Sequence, residues 1–139
     1  MVLDKSRRIW DIPRAVAIDH EILRVFQNLG VVEKILPYTA PFGASEHYGV
    51  DGQLIRRIDV VRPPYPMGYL PTMVFSQPPV EKLLREHAAK YATVKVCLGE
   101  EAIALRQGHD HVSLELRSDD GTKSVVTARY ASRAPWPAR

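Results

Sequence analysis

Residues 12–30 read I-P-R-A-V-A-I-D-H-E-I-L-R-V-F-Q-N-L-G, and the rest of the chain is organised around this stretch. Asp19 has the short acceptor side chain of a helix N-cap, and Ile18 with Leu23 has the spacing of a hydrophobic staple across it. Ile22, Phe26 and Leu29 recur at helical spacing and predict one apolar face. Gly30 stands where a helix ends in the left-handed region. Ahead of the cap, P-R-A opens an extended lead-in.

Toward the N-terminus lies M-V-L-D-K-S. Val2 and Leu3 followed by an acid read as the end of a short buried strand with Asp4 at its carboxyl end. An acid there has a known use in dinucleotide-binding units, where it accepts hydrogen bonds from a ribose. Such an acid follows a G-x-G-x-x-G turn by about 20 residues. The 139 residues carry no such turn.

Toward the C-terminus, residues 44–61 (A-S-E-H-Y-G-V-D-G-Q-L-I-R-R-I-D-V-V) predict a hairpin turning at Asp51 and Gly52. The four prolines of R-P-P-Y-P-M-G-Y-L-P-T exclude a central strand and predict an extended connector. A second helix follows in S-Q-P-P-V-E-K-L-L-R-E-H-A-A-K-Y, since Pro78 and Pro79 are compatible with a first turn. Val80, Leu83, Leu84, Ala88 and Tyr91 predict its buried stripe, with Glu81–Arg85 and Glu86–Lys90 as exposed pairs. From Thr93 the period becomes two, and four short strands are expected, with turns at Gly99, at residues 108–110 and at residues 119–121. Residues 131–139 leave the pattern and read as a tail.

The composition is that of one soluble globular domain, with 45% hydrophobic and 25% charged residues. The 19 basic residues are scattered among 16 acids, with no basic run interleaved with aromatics, which disfavours nucleic-acid binding. No apolar run reaches membrane-spanning length, and no signal-peptide core opens the sequence, so a cytoplasmic protein is the expectation. The single Cys97 sits in T-V-K-V-C-L, which predicts a buried thiol outside any disulfide framework.

No residue stands out as catalytic. His109 and His111 share a predicted turn without the further ligands a metal needs. His20 is expected to be an exposed first-turn residue, His87 a helix-flank residue and His47 an ordinary strand residue. Arg14 has two readings, a guanidinium gripping a phosphate bidentately or a surface arginine in a loop. Gln77 has two as well, a polar first-turn residue or an amide facing a ligand.

At this point the residues resemble a family. I-P-R-A-V-A-I-D-H-E-I-L-R resembles the P-R-A-x-G-I-D-x-E-x-L-R segment of FAD-dependent aromatic hydroxylases, single-component flavin monooxygenases of the 3-(3-hydroxyphenyl)propionate hydroxylase type. F-S-Q-P-P-V-E-K-L-L is similar to their F-x-Q-P-x-x-E-x-x-L segment, and V-C-L-G-E-E-A-I-A-L-R to the meander after it. The resemblance runs in order over residues 2–130.

It implies an α+β piece of an α/β FAD-binding domain, Rossmann-like and of 4-hydroxybenzoate hydroxylase type, with two main helices, a hairpin and an antiparallel β-meander. Residues 1–130 would be a partial FAD-binding domain, residues 44–74 would cross into a substrate-domain sheet, and 131–139 would be a non-family tail. By the same resemblance Asp4 matches the ribose-binding acid, and Arg14 and Gln77 approach the pyrophosphate-ribose region of FAD. NADH or NADPH would be the reductant, and a phenolic aromatic acid and O2 the substrates of the intact enzyme. Because the G-x-G-x-x-G turn and the family's later A-x-D-G-A-x-S motif are not among these residues, an internal fragment, inactive alone, is the expectation. The competing reading is a non-catalytic α+β binding module derived from that scaffold.

Overall fold

The computed structural model describes residues 1–12 and 14–134. The chain divides into two units, one formed by Met1–Arg8 and Tyr91–Arg139, the other by Ile9–Lys90.

In the Ile9–Lys90 unit, β2 (Ala17–Asp19) leads directly into α1 (His20–Asn28). The local signals act as read. Asp19 Oδ1 accepts the Ile22 N–H at 2.9 Å. At the other end the Gly30 N–H donates to Gln27 O and the Val31 N–H to Phe26 O. Gly30 has φ +70°, so the pair of bonds closes a Schellman motif around a left-handed residue. The staple is also present, with Ile18 and Leu23 both buried in one cluster.

That staple corrects the apolar face. Leu23 is 0% exposed, whereas Ile22 and Leu29 are 42% and 45% exposed. Ile18 draws Leu23 inward, so the buried stripe runs through Leu23 and Phe26 and leaves Ile22 on the rim. His20 is half-buried, not exposed, because its N–H is carried against Pro71 O where β2 pairs with the end of the connector.

Short elements then follow that the sequence pattern does not announce: α2 (Val32–Ile35), a 3-10 turn (Leu36–Tyr38) and β3 (Thr39–Pro41). The hairpin is formed by β4 (Ala44–Tyr48) and β5 (Leu54–Asp59), with Gly52 at φ +75° in its turn. After the proline-rich connector comes β6 (Thr72–Phe75), the centre of an antiparallel β2–β6–β3 sheet. In its register Ile18 faces Met73 and Ala40 faces Val74. The second long helix is α3 (Gln77–Ala88).

Ile18, Leu23, Val32 and Met73 form one buried cluster, and Val31, Ile35 and Val80 a second. Phe26 and Phe75 pack against both. Of the stripe expected on α3, Val80 is buried and Leu83 and Leu84 pack against it, but Tyr91 lies beyond the helix and is exposed. Glu81 pairs with Arg85 at 2.6 Å. Glu86 faces Lys82 at 3.8 Å, Lys90 being past the last helical residue.

In the other unit, β1 (Val2–Asp4) pairs in parallel with β7 (Val96–Leu98). The meander is β8 (Glu100–Gln107), β9 (Val112–Ser118) and β10 (Lys123–Ala128), all antiparallel. Of the four strands expected after Thr93, the first therefore belongs to a parallel ribbon and three make the meander. Gly99, at φ +76°, separates the two, and a Cβ there would meet Arg7 Nε at 2.7 Å and Asp119 Oδ2 at 2.6 Å. Leu116 is the buried centre of the meander. Cys97 is a half-buried free thiol, less enclosed than expected. Residues 131–134 carry no regular structure, and the remainder of the expected tail lies outside the described residues.

Candidate functional site

Two of the three expected ligand-facing residues meet. Gln77 Oε1 accepts the Arg14 N–H at 2.8 Å and the Ala15 N–H at 3.0 Å. Arg14 is exposed and Gln77 half-buried, so the junction lies at the surface with the guanidinium stem starting from a backbone held in place. Gln77 is the first residue of α3, and Pro78 and Pro79 follow it. Proline has no N–H and a fixed φ, so this helix start offers few backbone donors of its own and a stiff first turn.

Beside the junction is a groove of about 370 Å³ between α1 and α3. Ala15, Ala17, Ile22, Phe26, Phe75 and Leu84 supply most of its apolar wall, with Gln77 at its polar end. The exposure of Ile22, unexpected for a helix core position, is its contribution to this wall.

Asp4 belongs to the other unit. It is half-buried at the carboxyl end of β1, where its Oδ1 accepts the Ser6 N–H at 2.9 Å in a short turn. A polar cleft of about 520 Å³ opens in the same unit, lined by Lys5, Ser6, Glu101, Arg117, Asp119 and Gly121 among others. Arg7 Nε donates to Asp119 Oδ2, and this bond raises the guanidinium above its ordinary pKa. Arg117 Nη2 donates to Glu101 Oε2 at 2.6 Å and lowers that carboxyl's pKa. The Thr122 N–H does the same to Asp120. These pairs hold the cleft's charges against one another. Nothing in the sequence pattern pointed to it, because its walls combine the turn after β1 with β8, β9 and the β9–β10 turn, far apart in the chain.

Two histidines make local contacts on turns or strands. His111 Nδ1 lies 2.8 Å from Asp110 at the β8–β9 turn, and His47 is 3.2 Å from Ser45 on the hairpin. No group of three or more potential metal ligands occurs among the described residues. No helix among them is long and apolar enough to cross a membrane.

Comparison with known proteins gives this geometry a context. The family described as FAD binding domain matches residues 1–132. A 3-(3-hydroxy-phenyl)propionate/3-hydroxycinnamic acid hydroxylase of Escherichia coli O8 (strain IAI1) is 30% identical over 130 residues, which is 94% of this chain and 23% of that protein. The chain thus spans less than a quarter of the length of this relative. Among solved structures, p-nitrophenol 4-monooxygenase PnpA from Pseudomonas putida DLL-E4 superposes with a TM-score of 0.73 at 20% identity, over 93% of this chain and 32% of that one. The flavin-dependent monooxygenase PieE, in complex with FAD and substrate, gives 0.73 at 17% identity, over 92% of this chain and 24% of that one. The family is matched over nearly the whole of this chain, so the chain belongs to the FAD binding domain family, and it shares its fold with flavin-dependent monooxygenases.

Proposed function

We propose that this chain supplies part of the FAD site of an aromatic hydroxylase, through Asp4, Arg14 and Gln77. The observation that carries the reading is the Gln77 junction. Arg14 and Gln77, 63 positions apart, are joined at one surface by a hydrogen bond from the Arg14 backbone N–H to the Gln77 side chain. The donor set fits the cofactor's chemistry. Asp4 offers a carboxylate at a strand's carboxyl end for a ribose diol, and Arg14 offers a planar cation for phosphate oxygens. Gln77 offers amide donors. When bound, FAD supplies the electron transfer and oxygen activation, and the protein's share is position and exclusion of water.

In the intact enzyme the substrate is a phenolic aromatic acid such as 3-(3-hydroxyphenyl)propionate, hydroxylated with O2 and with NADH or NADPH as reductant. The support is the 30% identity to hydroxylases of that name. Within this reading residues 1–130 are part of the FAD-binding domain and 44–74 cross into a substrate-domain sheet. The crossing is supported by β5, whose six residues are all exposed although three are Leu or Ile.

The test is titration of the chain with FAD, followed by quenching of flavin fluorescence. An open, surface-lying donor set predicts saturable binding weaker than about 10 µM and no turnover by this chain alone. Arg14→Ala is expected to weaken binding about tenfold, the loss of a charge-assisted contact, and Arg14→Lys by less. Absence of saturable binding up to about 1 mM FAD overturns the reading.

A further inference from the structure

We infer that Gln77 is a positioning residue whose side-chain carbonyl continues the β2–β6 ladder after the backbone has left it. In the paired region Ala17 faces Val74, and the next bond is Phe75 N–H to Val16 O at 3.0 Å. One step further the chain at Ser76 is still extended, and at Gln77 it turns into α3. There Gln77 Oε1 accepts the N–H groups of both Arg14 and Ala15. A carbonyl oxygen has two lone pairs, and both are used.

The local sequence supports this latch. Ser76 makes no side-chain capping bond, so the helix start is not closed on itself. Pro78 and Pro79 stiffen the first turn and fix the direction in which Gln77 leaves it. The latch holds the backbone from which the Arg14 side chain departs. It also divides the Gln77 amide: the oxygen is committed to the protein, and only Nε2 is left to face a ligand. The latch itself stands on the hydrogen bonds. Only the ligand-facing half rests on the FAD reading.

The two halves separate in the variants Gln77→Glu and Gln77→Met. A glutamate keeps two acceptor oxygens at the same reach and loses the N–H donor. A methionine keeps the length and loses both. Amide hydrogen exchange on the full chain, without cofactor, reads the latch directly. Gln77→Met is expected to speed exchange at Arg14 and Ala15 about fivefold or more, while the Ile22 and Leu29 amides of α1 stay as slow as before. Gln77→Glu is expected to keep both amides slow. Fast exchange in Gln77→Glu, or unchanged slow exchange in a folded Gln77→Met, overturns the latch. If Gln77→Met does not fold, the glutamate variant decides by itself. FAD titration of Gln77→Glu then reads the other half: slow amides with at least tenfold weaker FAD binding support Nε2 as the ligand-facing donor, and unchanged affinity overturns that half. Failure of every variant and the parent to bind FAD would count against the proposed function and leave the latch standing.

Discussion

The β2–β6–β3 sheet and the β4–β5 hairpin lie in the same unit and are built from similar residues, yet they are stabilised differently. The sheet carries Ile18 and Met73 on its register and buries both beneath α1 and α2. The hairpin has a comparable ladder and a dense set of polar contacts. Arg57 bridges Glu46 at 3.0 Å and Asp59 at 2.8 Å, and the Tyr48 hydroxyl donates to Glu46. None of its strand residues is buried. Exposed ion pairs contribute about 0–1 kcal/mol, and an isolated two-stranded hairpin is marginal in water. Strand pairing gives both regions their shape, but only one of them also has burial to hold it.

The largest expected effect separates the two directly. Leu23→Ala removes a side chain with 0% exposure and is expected to cost about 2–5 kcal/mol in urea unfolding. Ile55→Ala, at a residue 67% exposed on the hairpin, is expected to change stability by less than about 0.5 kcal/mol. Equal costs would mean that the hairpin is packed in solution and would break the comparison. A smaller effect sharpens it. Asp19→Ala removes the cap that fixes the start of α1 above the sheet, and a loss of about 1 kcal/mol is expected in the same assay. Asp19→Asn retains an acceptor and is expected to recover most of it.

What was legible in the sequence follows this division between local and distant causes. Asp19, Ile18 with Leu23, and Gly30 act over four or five residues, and each was readable from spacing. The hairpin turn at Gly52 was readable for the same reason. The face of α1 was misjudged because helical periodicity admits Ile22 and Leu23 as neighbours on one broad stripe, and the choice between them is made by Ile18 on another element. Thr72–Phe75, four residues after a run of prolines, is too short to show a period, yet it is the central strand. The role of β7 depends on Val2 facing Val96 across the chain, which no local pattern encodes. Residue types left Arg14 and Gln77 each with two readings, and it was the family resemblance that proposed them as cofactor residues. The use of the Gln77 oxygen was hidden, because a side chain meeting backbone amides 62 and 63 positions away leaves no periodicity.

The smallest expected effect asks whether cross-strand ion pairs matter more where a sheet has something buried behind it. Glu101 and Arg117 face each other in the β8–β9 register, as Glu46 and Arg57 do in the hairpin, but Leu116 next to Arg117 is buried. Arg117 holds the Glu101 carboxyl below its ordinary value of 4.5, chiefly through their hydrogen bond. A depressed folded-state pKa means that the unfolded chain binds the proton first as pH falls. The pair's contribution is therefore fully present above about 4.5 and is lost as the solution is acidified through the lower folded value. Thermal unfolding of the parent and Glu101→Gln between neutral and strongly acidic pH checks the sign. The parent is expected to hold a small, constant advantage at neutral pH that shrinks only below the ordinary glutamate range. An advantage that grows on acidification would reverse the linkage and place the stabilising partner of Glu101 somewhere other than Arg117.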